Sequence, residues 1–172
     1  MLFELLWWSS SSLLLLASFE TSMLILIISF LQTTNTGKTT TISMLTGMLA
    51  PTEGYATVAG KDIRSEMTSI RQEIGICLQH DCLFPELTVR EHVQFFARLK
   101  GMYAKMSRRE AEEKVDTSIQ DVALSEKRNT LSKNLSGGMK RKLSVAIAFC
   151  GDSKTVLLDE PTSGMVRITL RS

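Results

Sequence analysis

No lysine or arginine occurs in the first 37 of the 172 residues, and the first basic side chain is Lys38. A secretory signal peptide would therefore lack its positive leading region, and an apolar span would lack the flanking Lys or Arg that sets its orientation. Net charge is also small, since 20 basic and 18 acidic side chains leave +2. That balance builds no field for nucleic acid or an anionic membrane surface, and the Lys140-Arg141-Lys142 run reads as a solvated helix face. Three cysteines form no even framework, so Cys77, Cys82 and Cys150 read as reduced thiols in a cytosolic setting. Cys77, His80 and Cys82 have no fourth ligand at zinc spacing, and Cys77 closes an apolar strand-like run, so no zinc is expected. Internal repeats are missing, and the one low-complexity patch is Ser9 to Ser12.

The basic-free leader is strongly apolar. Leu13 to Leu31 carries twelve Leu, Ile or Phe residues, interrupted by Ser18, Glu20, Thr21 and Ser22. It has about the length of a bilayer span. Twelve such residues contribute about −0.3 to −0.6 kcal/mol each to insertion, against about +2.5 to +3.5 for one charge near the centre. The competing reading makes Met23 to Phe30 a buried strand leading into a phosphate loop that starts at Gln32. One residue cannot both cross lipid and pair inside such a sheet. The strand is the preferred reading, with Trp7, Trp8 and the serine run unmatched.

Further along, Ile42, Leu45 and Leu49 have helical spacing, and Pro51-Thr52-Glu53-Gly54 ends that helix as a turn. Tyr55 to Ala59 alternates like a strand, and Ile74 to Leu78 is a short apolar strand that delivers Gln79. From Leu83 to Cys150 the pattern is helical, with capping boxes at Thr88/Glu91 and Ser107/Glu110. A last helix opens at Ser136 and carries Met139, Leu143, Ala146, Ile147 and Phe149 on its apolar side.

Three strings carry the chemistry. Thr33 to Thr40 keeps the second half of a phosphate loop of the form GxxxxGK[ST], with Gln32 in the first glycine position. In such a loop backbone N–H groups surround phosphates, the lysine reaches their oxygens, and the next hydroxyl ligates Mg²⁺. Leu135-Ser136-Gly137-Gly138 places a hydroxyl and bare backbone N–H groups at a positive helix end, an anion seat. Thr155-Val156-Leu157-Leu158-Asp159-Glu160 is an apolar run suited to a buried parallel strand, ending in two acids where open α/β sheets place ligands.

Together with Gln79, these strings resemble the ATP-binding cassette (ABC) transporter nucleotide-binding domain. The fuller segments GKTTTISMLTGMLAPTEGYATVAGKDI, ICLQHDCLFPELTVREHVQFFARLKG, LSGGMKRKLSVAIAF and LLDEPTSGM are similar to the A subfamily, the lipid-exporter group. The resemblance covers about Gly37 to Met165. It implies an α/β fold, a P-loop NTPase (RecA-like) core sheet with a helical subdomain, incomplete at both termini. On that plan 1–31 is a divergent apolar segment and 32–83 is the part of the core carrying the phosphate and Q loops. The helical subdomain with the signature motif is 84–150, and 151–172 holds the Walker B strand and an off-pattern tail.

By the same resemblance ATP and Mg²⁺ are the ligands. Asn35, Gly37, Lys38, Thr39 and Thr40 bind nucleotide, and Thr39, Gln79 and Asp159 serve the metal. Glu160 is the general base, with Gln79 beside it as the Q-loop residue. Ser136, Gly137 and Gly138 act in trans, on nucleotide held by a second nucleotide-binding domain. Transmembrane domains, a place at the cytoplasmic face of a membrane and a parent that moves lipid are implied as well. Nucleic acid is not.

Departures from the pattern temper the expected activity. Gln32 and Asn35 stand where the family has glycines. If Gln32 needs a positive φ, the cost is about 1 to 2 kcal/mol, or roughly one decade in affinity. No adenine-stacking aromatic is identifiable upstream of Lys38. Val166 follows Met165 where the D-loop should continue with Asp-Pro, and no histidine follows Glu160 to serve as the switch; His80 and His92 read as surface or packing residues. The chain is thus expected to be truncated at both ends and weak or inactive in hydrolysis. A non-catalytic fragment that docks on a complete cassette and a mis-assembled gene product are the alternatives.

Overall fold

The computed structural model describes residues 3–7, 13–19, 23–28, 38–78, 80–151 and 153–159, with side chains from residue 40 to 158 apart from 79 and 152. Its main sheet has five strands in the order β1-β2-β3-β7-β6. β1 (Phe3–Trp7), β2 (Leu13–Phe19) and β3 (Met23–Ile28) form an antiparallel meander. β7 (Thr155–Asp159) then lies parallel to β3 on one side and to β6 (Ile74–Cys77) on the other. The window Leu13 to Leu31 thus contains two paired strands, β2 and β3, and β1 takes up part of the stretch that had no match in sequence. Among the described residues no helix is long and apolar enough to cross a membrane.

β7 sits between two strands and is buried on both faces, which is why its sequence is a continuous apolar run. Val156 and Leu158 point to one side, where they meet Val145 and Ala148 of α6 (Gly137–Phe149). Leu157 points to the other, where Ile42 of α1 (Lys38–Leu45) and Ile70 of α2 (Met67–Glu73) share its cluster. Alternation along the strand thus creates two helix layers from one short segment. Val156 is fully buried, and each such aliphatic side chain contributes about 1.5 to 3 kcal/mol.

Helix α6 is itself shared. Leu143, Ala146 and Ile147 belong to a second core with Val89, Val93 and Ala97 of α3 (Val89–Leu99) and Ala111, Val115 and Ile119 of α5 (Arg108–Asp121). The short α4 (Met102–Lys105) adds Met102. Both capping boxes form: Thr88 accepts from the Glu91 N–H and Ser107 from the Glu110 N–H, with each glutamate returning to the cap backbone. Glu112 binds α3 to α5 by accepting from Gln94 at 2.6 Å, Tyr103 at 2.8 Å and Arg90 at 3.1 Å.

Two elements differ from the sequence expectation. The strand at Tyr55 to Ala59 shrinks to β4 (Thr57–Val58), paired with β5 (Lys61–Asp62) in a separate hairpin. Ala59 and Gly60 have φ of 50 and 77, a left-handed pair of the type that closes a two-residue turn. Helix α2, which has no strong periodic signature, covers the sheet through Ile70.

Candidate functional site at the carboxyl edge of the sheet

The register of the parallel strands aligns their ends. Ile28 of β3 is opposite Asp159 of β7, and Cys77 of β6 is opposite Leu158. Because all three run the same way, three connections leave from a single edge. Residues 29–37 lead from β3 to α1, Leu78 leads from β6 to Gln79, and Asp159 leads from β7 to Glu160. Helix α1 begins at Lys38 and has no acidic residue in its first turn, so nothing there opposes an anion at its positive end.

Helix α6 brings a different surface. Its N-cap is Ser136, whose hydroxyl accepts from the Met139 N–H at 3.3 Å. Ser136 and Gly137 are exposed. A Cβ placed on Gly137 meets no heavy atom within 4 Å. Packing among the described residues therefore does not demand glycine at that position. Gly75 is the opposite case: a Cβ there collides with the Ala148 carbonyl, so glycine is what lets the end of α6 lie against β6.

The basic run on α6 is not uniformly solvated. Arg141 is only 3% exposed and donates to the Leu78 carbonyl, with Asp81 Oδ1 at 3.7 Å. Ser144, one turn on, donates to the same Asp81 oxygen at 2.8 Å. A buried guanidinium is tolerated because fixed acceptors replace water. Positions 141, 145 and 148 share one helix face, and Val145 and Ala148 on it meet the sheet.

Two further polar groups hold the surroundings. His92 is fully buried; its Nδ1 donates to the Thr88 carbonyl at 2.8 Å and its Nε2 accepts from the Phe84 N–H at 2.9 Å. A carbonyl can only accept and an N–H can only donate, so the ring is the neutral tautomer with its proton on Nδ1. Burial, more than its neighbours, lowers its pKa. Lys100 reaches from the end of α3 to the Ser153 hydroxyl at 2.6 Å and the Cys150 carbonyl at 2.9 Å. Burial lowers that ammonium to about 8.

A profile of the ABC transporter family matches residues 30–163. The chain belongs to the ABC transporter family. The part matched is the family's ATP-binding domain, and the A-subfamily resemblance is borne out by close relatives. Human ATP-binding cassette sub-family A member 2 is 54% identical over 139 residues, 81% of this chain and 6% of that protein. The human retinal-specific phospholipid-transporting ATPase ABCA4 is 50% identical over 146 residues, covering 85% of this chain and 6% of it. Human phospholipid-transporting ATPase ABCA3 is 49% identical over 136 residues, covering 79% and 8%. The chain therefore spans less than a tenth of the length of these ABC proteins. Among solved structures, an ATP-binding subunit of an ABC transporter superposes with a TM-score of 0.66 at 25% identity, covering 77% of this chain and 53% of that one. A bacterial ABC transporter cassette solved as a dimer, MJ0796, gives 0.66 at 27% identity, covering 76% and 58%. The P-loop NTPase fold expected from the sequence is thus the observed one.

Within this ABC domain, Lys38 and Thr39 open α1 and Thr40 is exposed in its first turn, while Asp159 closes β7. Side chains of Lys38, Thr39 and Asp159 lie outside the described set, as do Asn35, Gly37, Gln79 and Glu160 altogether. Ser136, Gly137 and Gly138 form the start of α6, exposed at Ser136 and Gly137 and half-buried at Gly138. Among the described residues no group of three or more His, Cys, Asp or Glu could hold a metal ion. Asp81, the polar partner of the signature helix, and Ser144 on that helix carried no motif and escaped sequence reasoning.

Proposed function

We propose that this chain is the nucleotide-binding portion of a lipid-moving ABC transporter. It binds Mg·ATP at the carboxyl edge of β3, β7 and β6, and hydrolyses it when a second nucleotide-binding domain supplies a signature turn. The observation that supports this most is the register Ile28 opposite Asp159 and Cys77 opposite Leu158, which ends β3, β7 and β6 at one edge, where the sequence runs on into the phosphate segment, Glu160 and Gln79. Relatives named as phospholipid-transporting ATPases support the lipid cargo. Their full length is also the reason to expect transmembrane domains and a cytoplasmic-face location in the parent protein.

The donor set suits the ligands. Backbone N–H groups before α1 and the Lys38 ammonium suit triphosphate, assisted by Asn35, Gly37 and Thr40. Thr39, Gln79 and Asp159 offer hard oxygens of the kind Mg²⁺ takes, and bound Mg²⁺ neutralises charge on the phosphate oxygens. Glu160 orients and deprotonates the attacking water. Gly137 supports action in trans, because a Cβ there would meet open space among the described residues and its absence suits close approach by an outside phosphate.

The test is Mg·ATP binding and phosphate release by the chain, alone and mixed with a complete cassette. Binding by the chain alone is expected, with release only in the mixture and a Glu160→Gln variant about 10²- to 10⁴-fold slower. Absence of binding at millimolar Mg·ATP sinks this reading. A docking role without turnover is the second reading, favoured by the exposed signature turn at Ser136 and Gly137. Co-purification with a complete cassette that Gly137→Asp weakens, without any phosphate release, would select it.

A further inference from the structure

We propose that the apolar face of the β1-β2-β3 meander, on the side of the sheet that carries α6, is the contact by which two copies of this chain associate without nucleotide. The register settles which residues share that face. Phe3, Ala17 and Ile25 stand in one row with Val156, and Leu5, Leu15 and Ile27 in another with Leu158. Val156 and Leu158 meet Val145 and Ala148 of α6, so both rows run from beneath α6 out to β1. The alternate rows bring Glu4 and Ser18 to the opposite face. On the α6 side every position of the three strands is apolar.

Along the sheet this face loses its cover. Helix α6 packs on β6 and β7, whereas β1 has β2 as its main neighbour and β2 has β1 and β3, with no helix among the described residues as a main partner of either. Sandwich proteins bury such a face by placing a second sheet about 10 Å away. Three strands about 4.8 Å apart and about 20 Å long present on the order of 500 Å² of surface per copy. Two copies then bury about 1,000 Å², the low end for a specific interface. Lipid is the competing occupant, and two observations go against it. β1 is the last strand of the sheet, so its outer N–H and C=O groups have no strand partner among the described residues. Hydrocarbon offers those groups nothing, whereas water at the rim of a dimer does. No Lys or Arg occurs before Lys38 to hold the segment at an anionic headgroup layer. A second copy needs no such charge, because a two-fold axis between the sheets sets one apolar face on another.

Sedimentation equilibrium of the full chain in EDTA, without nucleotide, tests the proposal, since closure on a second nucleotide-binding domain needs Mg·ATP and this contact does not. A dimer with a Kd on the order of micromolar is expected for an interface of this size. Leu15→Thr keeps a strand-forming side chain but sets a hydroxyl in the face, and should weaken the dimer by about tenfold or more. Leu16→Thr, the next residue and on the opposite face, should leave it unchanged. Phe3→Thr repeats the test on the outermost strand, where folding is least at risk, and circular dichroism checks that each variant is folded. A native chain that stays monomeric up to about 100 μM overturns the proposal. So does equal weakening by Leu15→Thr and Leu16→Thr. Flotation with neutral phosphatidylcholine vesicles that Leu15→Thr abolishes overturns it in favour of lipid. Dimers that form only with Mg·ATP remove it and leave the nucleotide reading standing, whereas a nucleotide-free dimer that fails to bind Mg·ATP does the reverse.

Discussion

The α-carbon of Gly75 lies directly against the carbonyl of Ala148, with no room for a methyl group between strand β6 and the last turn of α6. This contact sets how close the signature helix comes to the strand that delivers Gln79. Gly75→Ala is expected to lower stability by about 1 to 3 kcal/mol, the usual cost of forcing atoms into a packed core. A reduced denaturation midpoint, with an unchanged denaturant slope, is the measurement. An unaltered midpoint would mean that α6 is free to slide.

Acid should loosen the turn that follows Gln79. Burial depresses the pKa of His92 below its ordinary 6.5, so the unfolded chain takes up the proton first as pH falls. Stability is therefore full above about 6.5 and declines below it. Protonated Nε2 would confront the Phe84 N–H that it now accepts. His92→Gln keeps one donor and one acceptor but does not titrate. Unfolding free energies from pH 7.5 to 5 should slope for the native chain and be flatter for the variant.

Lys100 ties the end of α3 to the segment after α6, donating to the Ser153 hydroxyl and the Cys150 carbonyl. Lys100→Met keeps the stem and removes the ammonium. The stranded acceptors are expected to cost about 1 to 3 kcal/mol at pH 7. The unfolded chain binds this proton near 10.5 and the folded chain only near 8. Native stability should accordingly rise with pH across that interval, and the rise should shrink in Lys100→Met.

Gln32→Gly restores the flexible first position of the phosphate loop. If that residue needs a positive φ, affinity for Mg·ATP should increase by about tenfold. Titration of both chains with a fluorescent ATP analogue measures it. Equal affinities would show that Gln32 adopts an ordinary backbone conformation there.

Local signals were legible because their physics is local. Thr88 with Glu91 and Ser107 with Glu110 lie three residues apart, and both pairs cap helices as their spacing requires. β7 was legible from five residues, since a strand buried on both faces must be apolar throughout. The apolar leader was harder, because a run rich in Leu and Ile suits lipid or a sheet equally well. Its antiparallel pairing as β2 and β3 depends on partners supplied by the rest of the chain.

The sequence by itself determined the family, the order of the phosphate, Q-loop, signature and acidic strings, and the helix starts, because each depends on residues within a few positions of one another. Only the tertiary structure decided that the strands ending at Ile28, Cys77 and Asp159 finish at one edge, and that Arg141 is buried against Leu78 and Asp81 rather than solvated. Strand register and the satisfaction of a buried charge are settled by groups more than sixty residues apart. No local spacing encodes which of them will meet.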